Sequence, residues 1–497
     1  MTRWPRVLVG LILLGLAPLP SACTRVVNPA TGESELTAMS PDQELQIGRE
    51  QHPQVLAEFG GPYPDPALQA YVQQIGQELA AASELPDLPF TFTLLNSEVV
   101  NAFALPGGYV YVTRGLLVLA DDEAELAGVL AHEIGHVTAR HSAQRYSRGV
   151  LAQGGLTLGT IVAGVLGGAA AAEAVGQAGG AGAKAWLAGY SRDQEFQADD
   201  LGVRYLARAG YDPGAMPSFL EKLARNDELA RQLAGKDDAA ETSWFATHPR
   251  TPDRVQRAAA QAAAGTGQDG RSGQDAYLSA IDGLIYGPDP SQGIVRGRSF
   301  LHPELRLAFR APDGFRLQNL PTAVVGRDRS GRIMRFDGVT VPAGRSMRDY
   351  LVRDWAEGLA LRNVLGFEAN GLAGASASTA GQLSNGQSVD VGLAVIRVDR
   401  SRVYRFLFIS AAPMGRADAA AFEATVRSLR RLSEDEAAAL RPLRIEVVTV
   451  EEAQTRDDLA ARMAVDANPL EQFEVLNGLS AGQPLVPGQR VKIVVDG

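Results

Sequence analysis

The sequence predicts a multidomain protein: a mainly α domain with a small β-sheet, then an α+β domain with an antiparallel sheet, then a small strand–helix–helix–strand unit. With 497 residues and 45% hydrophobic content, the chain is long enough for roughly two to four domains with cores of their own. Residues 40–262 show mostly helical periodicity, whereas residues 298–432 alternate apolar and polar side chains as strands do. Residues 263–297 begin with a Gly- and Ala-rich stretch that is typical of a linker, so we place a domain boundary there.

The first 22 residues have the pattern of a secretory signal: two arginines, an apolar stretch over residues 7–16, and small residues before Cys23. Cys23 is the only cysteine, so the chain cannot form an internal disulfide. The segment Leu-Pro-Ser-Ala-Cys resembles the lipobox of bacterial lipoproteins, which implies a lipid anchor at Cys23; plain signal cleavage and an uncleaved anchor are the alternatives. Thr24 differs from the aspartate that typically retains lipoproteins in the inner membrane, so the resemblance implies a periplasmic protein anchored to the outer membrane.

The charge balance bears on the class of partner. The net charge is −10 and the isoelectric point is near 5.3. No stripe of basic residues interleaved with aromatic residues is present in the sequence. Both observations argue against a nucleic-acid partner.

The first domain opens with predicted helices over residues 41–59 and 66–82 and predicted strands over residues 90–95 and 109–113. The sequence Pro-Gly-Gly before the second strand supplies a turn. Further on, residues 151–185 are nearly all Gly, Ala, Val and Leu. A membrane-spanning helix and a buried or mobile helical hairpin beside the site are the two interpretations, and the high glycine content favours the hairpin.

The segment Ala-His-Glu-Ile-Gly-His, residues 131–136, predicts a metal site on a helix over about residues 122–141. Residues four apart lie about 40° apart around a helix, so His132 and His136 face the same way and can bind one Zn²⁺. Glu133, one position further round, is left to activate a water. With 6 histidines in 497 residues, this pattern arises by chance at roughly 0.004 per chain.

A catalytic zinc site needs a third protein ligand and an open position. His141 lies about 180° round the helix from His132, so it cannot share that metal without a helix break, and we expect it to pack beside the site. Glu195 and Asp199, four residues apart, share one face of a second predicted helix. Glu195 can bind the metal while Asp199 orients a ligand histidine; a solvated acidic helix is the alternative.

The remaining predicted elements belong to the α+β domain and the terminal unit. We predict strands over residues 305–310, 322–327, 333–341, 389–398 and 403–410, and helices over residues 347–361 and 417–429. No group of residues in the α+β domain predicts chemistry. Residues 445–495 predict a strand, two helices and a strand, with turn-forming residues at 476–479 and 487–489.

These motifs together resemble the gluzincin peptidases that include HtpX, the CAAX prenyl proteases, the mitochondrial Oma proteases and the periplasmic BepA-type enzymes. The resemblance covers about residues 40–262 and rests on HExxH, Ser-Arg-x-x-Glu-x-x-Ala-Asp, a segment at residues 101–108 and Thr-His-Pro at residues 247–249. It implies one Zn²⁺ per chain, with Glu133 as general base and acid. The ligands that it implies are His132, His136 and Glu195.

Two further roles follow from this resemblance. Residues 101–108 are similar to the segment that leads into the family's edge strand, beside which a polypeptide substrate lies; the residues concerned are Asn101, Ala102, Phe103, Gly107 and Gly108. His248 is the candidate donor to the developing oxyanion. We also hypothesise that His248 can occupy the open zinc position and hold the enzyme latent.

The later domains resemble known modules less closely. Residues 298–432 are similar to PsbP-like α+β modules, and residues 442–497 are similar to a LysM domain, which implies contact with peptidoglycan. The sequence therefore predicts a zinc-dependent endopeptidase of the bacterial cell envelope that cleaves unfolded or misassembled polypeptides in protein quality control. A periplasmic chaperone or assembly factor with a structural or latent zinc site, and a peptidoglycan-anchored binding protein, are the alternatives.

Overall fold

The computed structural model describes residues 24–152, 189–234, 244–249, 252–264, 270–383 and 386–497. The predicted signal, Cys23 and all but the first two residues of the apolar segment 151–185 lie outside the described residues. Among the residues that are described, no helix is both long enough and apolar enough to span a membrane.

A mainly α domain with a small sheet comes first, as predicted. Its strands are β1 (Thr24–Val27), β2 (Ser34–Thr37), β3 (Thr91–Leu95), β4 (Ala102–Leu105) and β5 (Tyr109–Thr113). Its helices are α1 (Pro41–Glu58), α2 (Pro66–Ala81), α3 (Arg114–Leu119), α4 (Glu123–Thr138), α5 (His141–Ala152), α6 (Arg192–Arg208), α7 (Ala215–Ala234) and α8 (Pro252–Ala264). Strand β5 lies between β3, which is parallel to it, and β4, which is antiparallel and forms one edge.

Helix α4 runs through the core of this domain, and every residue from Ala124 to Thr138 is buried. It begins where the sequence predicts, because the side chain of Asp122 accepts a hydrogen bond from the backbone N–H of Glu125, as an N-cap does. Its close packing on α6 depends on Gly135, since a Cβ there would lie 3.1 Å from the carbonyl oxygen of Ala198. The two helices that carry the predicted metal ligands therefore lie side by side.

Helix α4 ends at Thr138, three residues before the end that the sequence predicts. Arg140 has a φ of 56°, a left-handed conformation that terminates a helix. Its buried guanidinium binds the carboxylate of Glu44 on α1 and donates to the carbonyl oxygen of Met39 at 2.9 Å. These contacts stabilise the left-handed conformation of Arg140 that ends α4, so His141 starts a separate helix.

The linker predicted for residues 263–297 is wrong from residue 270 onward. That part contains α9 (Gln274–Ile281), β6 (Ile285–Tyr286) and β7 (Ile294–Arg296). Tyr277, Leu278 and Ile281 of α9 are buried in the same hydrophobic core as α4. The linker-like composition is confined to residues 263–273; after it, apolar side chains return at helical spacing and pack α9 against the first domain.

The α+β domain is built on antiparallel sheets, as predicted. Its strands are β8 (Ser299–His302), β9 (Leu307–Arg310), β10 (Arg316–Leu320), β11 (Ala323–Arg327), β12 (Ile333–Thr340), β13 (Arg362–Ala369), β14 (Leu372–Gln382), β15 (Ser388–Arg397), β16 (Arg402–Ala411) and β17 (Arg430–Arg431). Its helices are α10 (Met347–Tyr350), which a π-helical turn extends to Trp355, α11 (Arg416–Arg427) and α12 (Glu434–Ala438). The helix predicted to residue 361 is therefore shorter than expected.

Two sheets form this domain. Seven strands follow the order β10-β11-β12-β16-β15-β14-β13, and four follow the order β17-β9-β8-β7. Phe300 and Phe309 of the smaller sheet pack with Phe336, Phe406 and Phe408 of the larger sheet in one aromatic core. This core is separate from the core around α4.

The terminal unit has the predicted order of strand, helix, helix and strand. Its elements are β18 (Leu443–Thr449), α13 (Arg456–Ala460), α14 (Pro469–Leu476) and β19 (Arg490–Asp496). Strand β18 pairs with β19 on one side and with β6 on the other. Phe473 and Ile493 lie in the same core as Leu126 and Leu130 of α4, so the unit packs directly on the first domain.

Candidate metal centre

Four side chains from three segments meet beside α4: His132 and His136 on α4, Glu195 on α6, and His248 after the 3-10 turn Trp244–Ala246. All four are buried, and one potential ligand atom from each lies within 4.8 Å of the others. The sequence predicted each of these residues for the site. The structure brings them together.

The separations between these atoms fit a tetrahedral ion. The Nε2 atoms of His132 and His136 are 3.0 Å apart, and His248 Nδ1 lies 3.3 Å from His132 Nε2. The Oε1 atom of Glu195 lies 3.1 Å from His248 Nδ1 and 3.6 Å from His136 Nε2. A tetrahedral Zn²⁺ with bonds of about 2.0–2.1 Å has ligand atoms about 3.3 Å apart, so imidazole nitrogens and a carboxylate oxygen at these distances suit zinc.

Asp199 and Arg254 contact the cluster residues from outside the cluster. Asp199 Oδ1 lies 2.9 Å from His132 Nδ1, which directs the Nε2 atom of that ring into the cluster. The Arg254 guanidinium donates to both oxygens of Asp199 at 2.7 and 2.8 Å and lies 2.7 Å from Oε2 of Glu195. Burial alone would raise the pKa of Asp199, but Arg254 and His132 outweigh it and lower that pKa to about 2.

Arg254 is the residue to which the sequence assigned no role. It is nine-tenths or more buried, and its guanidinium also stacks over the Trp244 ring at 5.2 Å. Burial of Glu195 disfavours its charged form, yet His248 and Arg254 outweigh burial and lower the pKa of Glu195. Arg254 therefore keeps two buried carboxylates ionised. The only signal for Arg254 in the sequence was its position shortly after Thr-His-Pro.

Glu133 lies next to the cluster without joining it. Its side chain is fully buried, and neither carboxylate oxygen has a hydrogen-bond partner among the described residues. The Nε2 atom of His248 lies 3.5 Å from Glu133 Oε1. Burial raises the pKa of Glu133. A buried carboxylate with free acceptor sites and a raised pKa is suited to take up a proton.

His248 lies between the two glutamates, with one ring nitrogen towards Glu195 and the other towards Glu133. Its ring stacks on the Trp244 ring, with centroids 4.4 Å apart and planes 13° apart. Burial disfavours the charged ring, but Glu195 and Glu133 outweigh it and raise the pKa of His248. The described geometry therefore places His248 where a fourth ligand of the cluster would lie.

His136 is held on its other side by two residues. Its Nδ1 atom lies 2.8 Å from Nδ1 of His141, whose Nε2 atom is 2.9 Å from Oε1 of Gln197 on α6. The Tyr190 ring stacks on His136 with centroids 3.7 Å apart. His141 thus packs beside the site, as the sequence predicted, and burial lowers the pKa of His141 to about 4.

The residues predicted for substrate binding form strand β4 and the turn after it. Ala102 and Phe103 belong to β4, which has one sheet neighbour, β5, among the described strands. Gly107 and Gly108 form the turn to β5 with φ values of 81° and 88°, which favour glycine. Asn101 precedes β4, and its buried Oδ1 atom has no hydrogen-bond partner among the described residues. Their role in substrate binding stays a prediction.

Comparison with known proteins finds similarity over the part of the chain that contains the candidate metal centre. Residues 66–262 match the profile of peptidase family M48. The chain is 41% identical over 203 residues to the beta-barrel assembly-enhancing protease of Yersinia pestis, which is 39% of this chain and 40% of that protein. It is 37% identical over 205 residues to the Escherichia coli K12 protein of the same name, again 39% and 40%. The mitochondrial metalloendopeptidase OMA1 of Schizosaccharomyces pombe is 28% identical over 240 residues, 46% of this chain and 64% of that protein.

The matches leave a large part of each protein uncovered. The chain spans about two fifths of the length of the two bacterial relatives. All four residues of the cluster, together with Glu133, Asp199 and Arg254, lie inside the matched range. The comparisons therefore bear on the metal centre and its domain.

Proposed function

Because residues 66–262 match the profile of peptidase family M48, we propose that the chain is a zinc-dependent endopeptidase of the bacterial cell envelope. It hydrolyses peptide bonds of unfolded or misassembled polypeptides. The observation that carries the proposal is a buried His132–His136–Glu195 cluster beside a glutamate whose carboxylate is free. A structural zinc site would need no such carboxylate beside its ligands.

Each residue has a defined part in this reaction. When bound by His132, His136 and Glu195, Zn²⁺ supplies a Lewis acid that activates water and polarises the scissile carbonyl. Glu133 takes the proton from the attacking water and delivers it to the leaving amine. Asp199 and Arg254 are positioning residues: the first orients His132, and the second holds the ligand carboxylate of Glu195 ionised.

We propose two roles for His248. Turned away from the cluster, its ring can donate a hydrogen bond to the oxyanion that develops on the substrate. Within the cluster, it takes the place that substrate and water need, and the enzyme is latent. The stacking on Trp244 supports the second state, because it holds the ring against Glu195.

The latent state has its own test. Exchange of Trp244 for alanine removes the stacking partner but leaves the imidazole, so we expect faster cleavage of an unfolded substrate than wild type. His248→Ala removes the gate together with the oxyanion donor, so its kcat falls if the donor role dominates. A Trp244→Ala protein with full zinc and no gain in activity would count against latency.

The substrate class follows from β4. A strand that pairs on one side only among the described residues, as β4 does, can accept an extended polypeptide by backbone hydrogen bonds, which read few side chains. Selectivity would then favour chains that are unfolded. This agrees with the names of the bacterial relatives, which are proteases that enhance β-barrel assembly. We propose that this chain also acts on envelope proteins that fail to fold or assemble.

The location in the envelope rests on the sequence. We propose that the signal directs the chain to the periplasm and that lipidation of Cys23 anchors it to the outer membrane. Thr24 already starts β1, so such an anchor would sit close to the folded chain. Metabolic labelling with a palmitate analogue, in wild type and Cys23→Ala protein, tests the anchor. The LysM-like terminal unit is proposed to contact peptidoglycan, which pull-down with and without residues 442–497 tests.

A second candidate function is an assembly factor whose zinc site is latent. The placement of His248 inside the cluster favours it, because the filled site could not cleave. In that case, Glu133→Gln protein would support outer-membrane protein assembly as well as wild type does.

The deciding experiment is degradation of casein by wild-type, Glu133→Gln and Glu221→Gln proteins, with zinc content measured for each. Glu221 lies exposed on α7 and serves as the matched control. Loss of a general base costs about 100- to 10,000-fold in rate, so Glu133→Gln protein should bind zinc fully and cleave at least about 100-fold more slowly. Equal cleavage by all three proteins would refute the role of Glu133 as general base, and absence of cleavage by zinc-loaded wild-type protein would refute the peptidase assignment.

A further inference from the structure

The turn that leads into α4 is bound by a residue from the far end of the chain. Lys492 lies on β19, and its side chain is fully buried. Its Nζ atom donates to the carbonyl oxygens of Val118, Leu119 and Ala120 at 3.0, 3.1 and 2.6 Å. These carbonyls close helix α3, where the last turn leaves carbonyl groups without partners in the helix. Lys492 therefore caps α3 from outside the M48 domain.

The same ammonium group binds the next residue of the turn. Lys492 Nζ lies 3.0 Å from Oδ1 of Asp121, and Lys222 on α7 also forms an ion pair with this oxygen. The backbone N–H of Asp121 donates to Glu125 on α4 at 2.9 Å. One carboxylate thus joins three segments: the turn before α4, helix α7 and strand β19. Asp122, the N-cap of α4, is the next residue along the chain.

Apolar and backbone contacts reinforce this junction. Phe473, Leu476, Leu479, Val491 and Ile493 of the terminal unit share one core with α4. The side chain of Asn477 both donates to and accepts from the backbone of Lys492, at 2.9 and 2.7 Å, which fixes β19 against α14. Arg225 of α7 donates to the carbonyl oxygen of Leu479 at 2.6 Å.

We propose that residues 443–497 are a clamp on the peptidase domain, and that Lys492 is a positioning residue for α4. The proposal rests on the proposed function, because α4 carries His132, Glu133 and His136 as one rigid helix. If the turn before α4 is released, the base and two zinc ligands lose their common position. Residues 443–497 lie outside the matched range 66–262. In this proposal they nevertheless help to position the catalytic residues, through non-covalent contacts.

The first test cuts the covalent connection. A site for a specific protease is inserted between Arg441 and Pro442 of the full chain, and the cleaved protein is analysed by size-exclusion chromatography. If the unit is a clamp, it stays bound after the inserted site is cut. We therefore expect the fragment from Pro442 onward to co-elute with the rest of the chain, and we expect hydrolysis of casein to persist. Release of the fragment with unchanged cleavage would show a merely tethered module and overturn the proposal.

The second test measures the turn itself. Amide hydrogen exchange over residues 114–126 is compared in wild-type, Lys492→Met and Arg462→Met proteins; Arg462 is a half-exposed residue of the same unit and serves as the control. We expect exchange in Lys492→Met protein to rise about tenfold or more, because three carbonyls and Asp121 lose a buried partner. Exchange in the α+β domain, residues 298–432, should stay at the wild-type rate.

A kinetic measurement separates positioning from general stability. In folded, zinc-loaded Lys492→Met protein, kcat should fall by at least about tenfold, because a displacement of about 1 Å at a catalytic group can cost about 100-fold. KM should remain close to wild type, since β4 is untouched. If Lys492→Met protein does not fold, Asp121→Asn protein, which removes the shared carboxylate but keeps its shape, takes its place in both measurements.

The outcomes are distinguishable from failure of the proposed function. If wild-type protein cleaves nothing, the peptidase assignment fails, while co-elution and hydrogen exchange still test the clamp. If wild type cleaves casein and the exchange of residues 114–126 in Lys492→Met and Asp121→Asn proteins equals that of the Arg462→Met control, the clamp is refuted.

Discussion

Replacement of Arg254 by methionine should destabilise the zinc-free protein far more than the zinc-loaded protein. Arg254 makes three charged contacts of 2.7 to 2.8 Å with Asp199 and Glu195, all with side chains that are almost fully buried. Without the guanidinium, two carboxylates remain buried with less positive charge beside them. Removal of one partner from a buried ion pair costs about 3–5 kcal/mol.

Zinc changes the expected size of this effect. A bound Zn²⁺ places positive charge next to Glu195 and, through His132, near Asp199, so it offsets part of the loss. We therefore expect a decrease of about 3–5 kcal/mol in the free energy of unfolding in EDTA, and a clearly smaller decrease in excess zinc. Urea titration followed by tryptophan fluorescence, with and without zinc, measures both values.

Arg257 supplies the matched control for this experiment. It lies three residues further along α8, is half exposed, and pairs with Asp200 on the same helix, α6, that carries Asp199. An exposed pair of this kind contributes about 0–1 kcal/mol, so Arg257→Met should change little in either condition. The reasoning is refuted if Arg254→Met protein in EDTA is no less stable than Arg257→Met protein.

Three further predictions follow from the packing around α4. Gly135→Val should separate α4 from α6, because even a Cβ there lies 3.1 Å from the carbonyl oxygen of Ala198; zinc retention during dialysis should fall, whereas Gly381→Val, near only valine methyl groups, should not affect it. Tyr190→Ala removes the ring stacked on His136 and should weaken zinc binding, measured by competition with a chelating dye, while Tyr350→Ala, in the α+β domain, should not. Burial, together with Glu125 and Asp121, raises the pKa of Asp122 to about 6, so Asp122 contributes stability that is present at pH 4 and lost as the pH rises through 6. Asp122→Asn keeps the N-cap and should remove this part of the pH dependence; identical pH profiles of unfolding for both proteins would contradict it.

Two pairs of residues in the candidate metal centre could be predicted from the sequence because the spacing within each pair is local, whereas His248 was predicted only from the family resemblance. His132 and His136 lie on one helical face, and Glu195 and Asp199 on another, so each pair depends only on helix geometry. The start of α4 was likewise predictable from Asp122 and the acidic residues around it. The end of α4 was not, because the left-handed turn at Arg140 depends on Glu44 and Met39, about a hundred residues earlier.

Other features depended on contacts that no local pattern reveals. Arg254 binds Asp199 across 55 residues of sequence, and Lys492 binds Ala120 across 372. Strand β14 escaped prediction because eight of its eleven residues are Gly, Ala or Ser, although Ala375 and Ala377 are buried in a hydrophobic cluster. The linker prediction extended too far because it followed the composition of its first eleven residues and not the apolar spacing of α9.

The most direct test of the central claim is anomalous scattering at the zinc edge from crystals of zinc-loaded Glu133→Gln protein. The account predicts one zinc peak per chain, about 2.0–2.2 Å from Nε2 of His132, Nε2 of His136 and one oxygen of Glu195, with the side chain at position 133 beside it and outside bonding distance. A zinc peak held by other residues, or none within bonding distance of Glu195, would contradict the account.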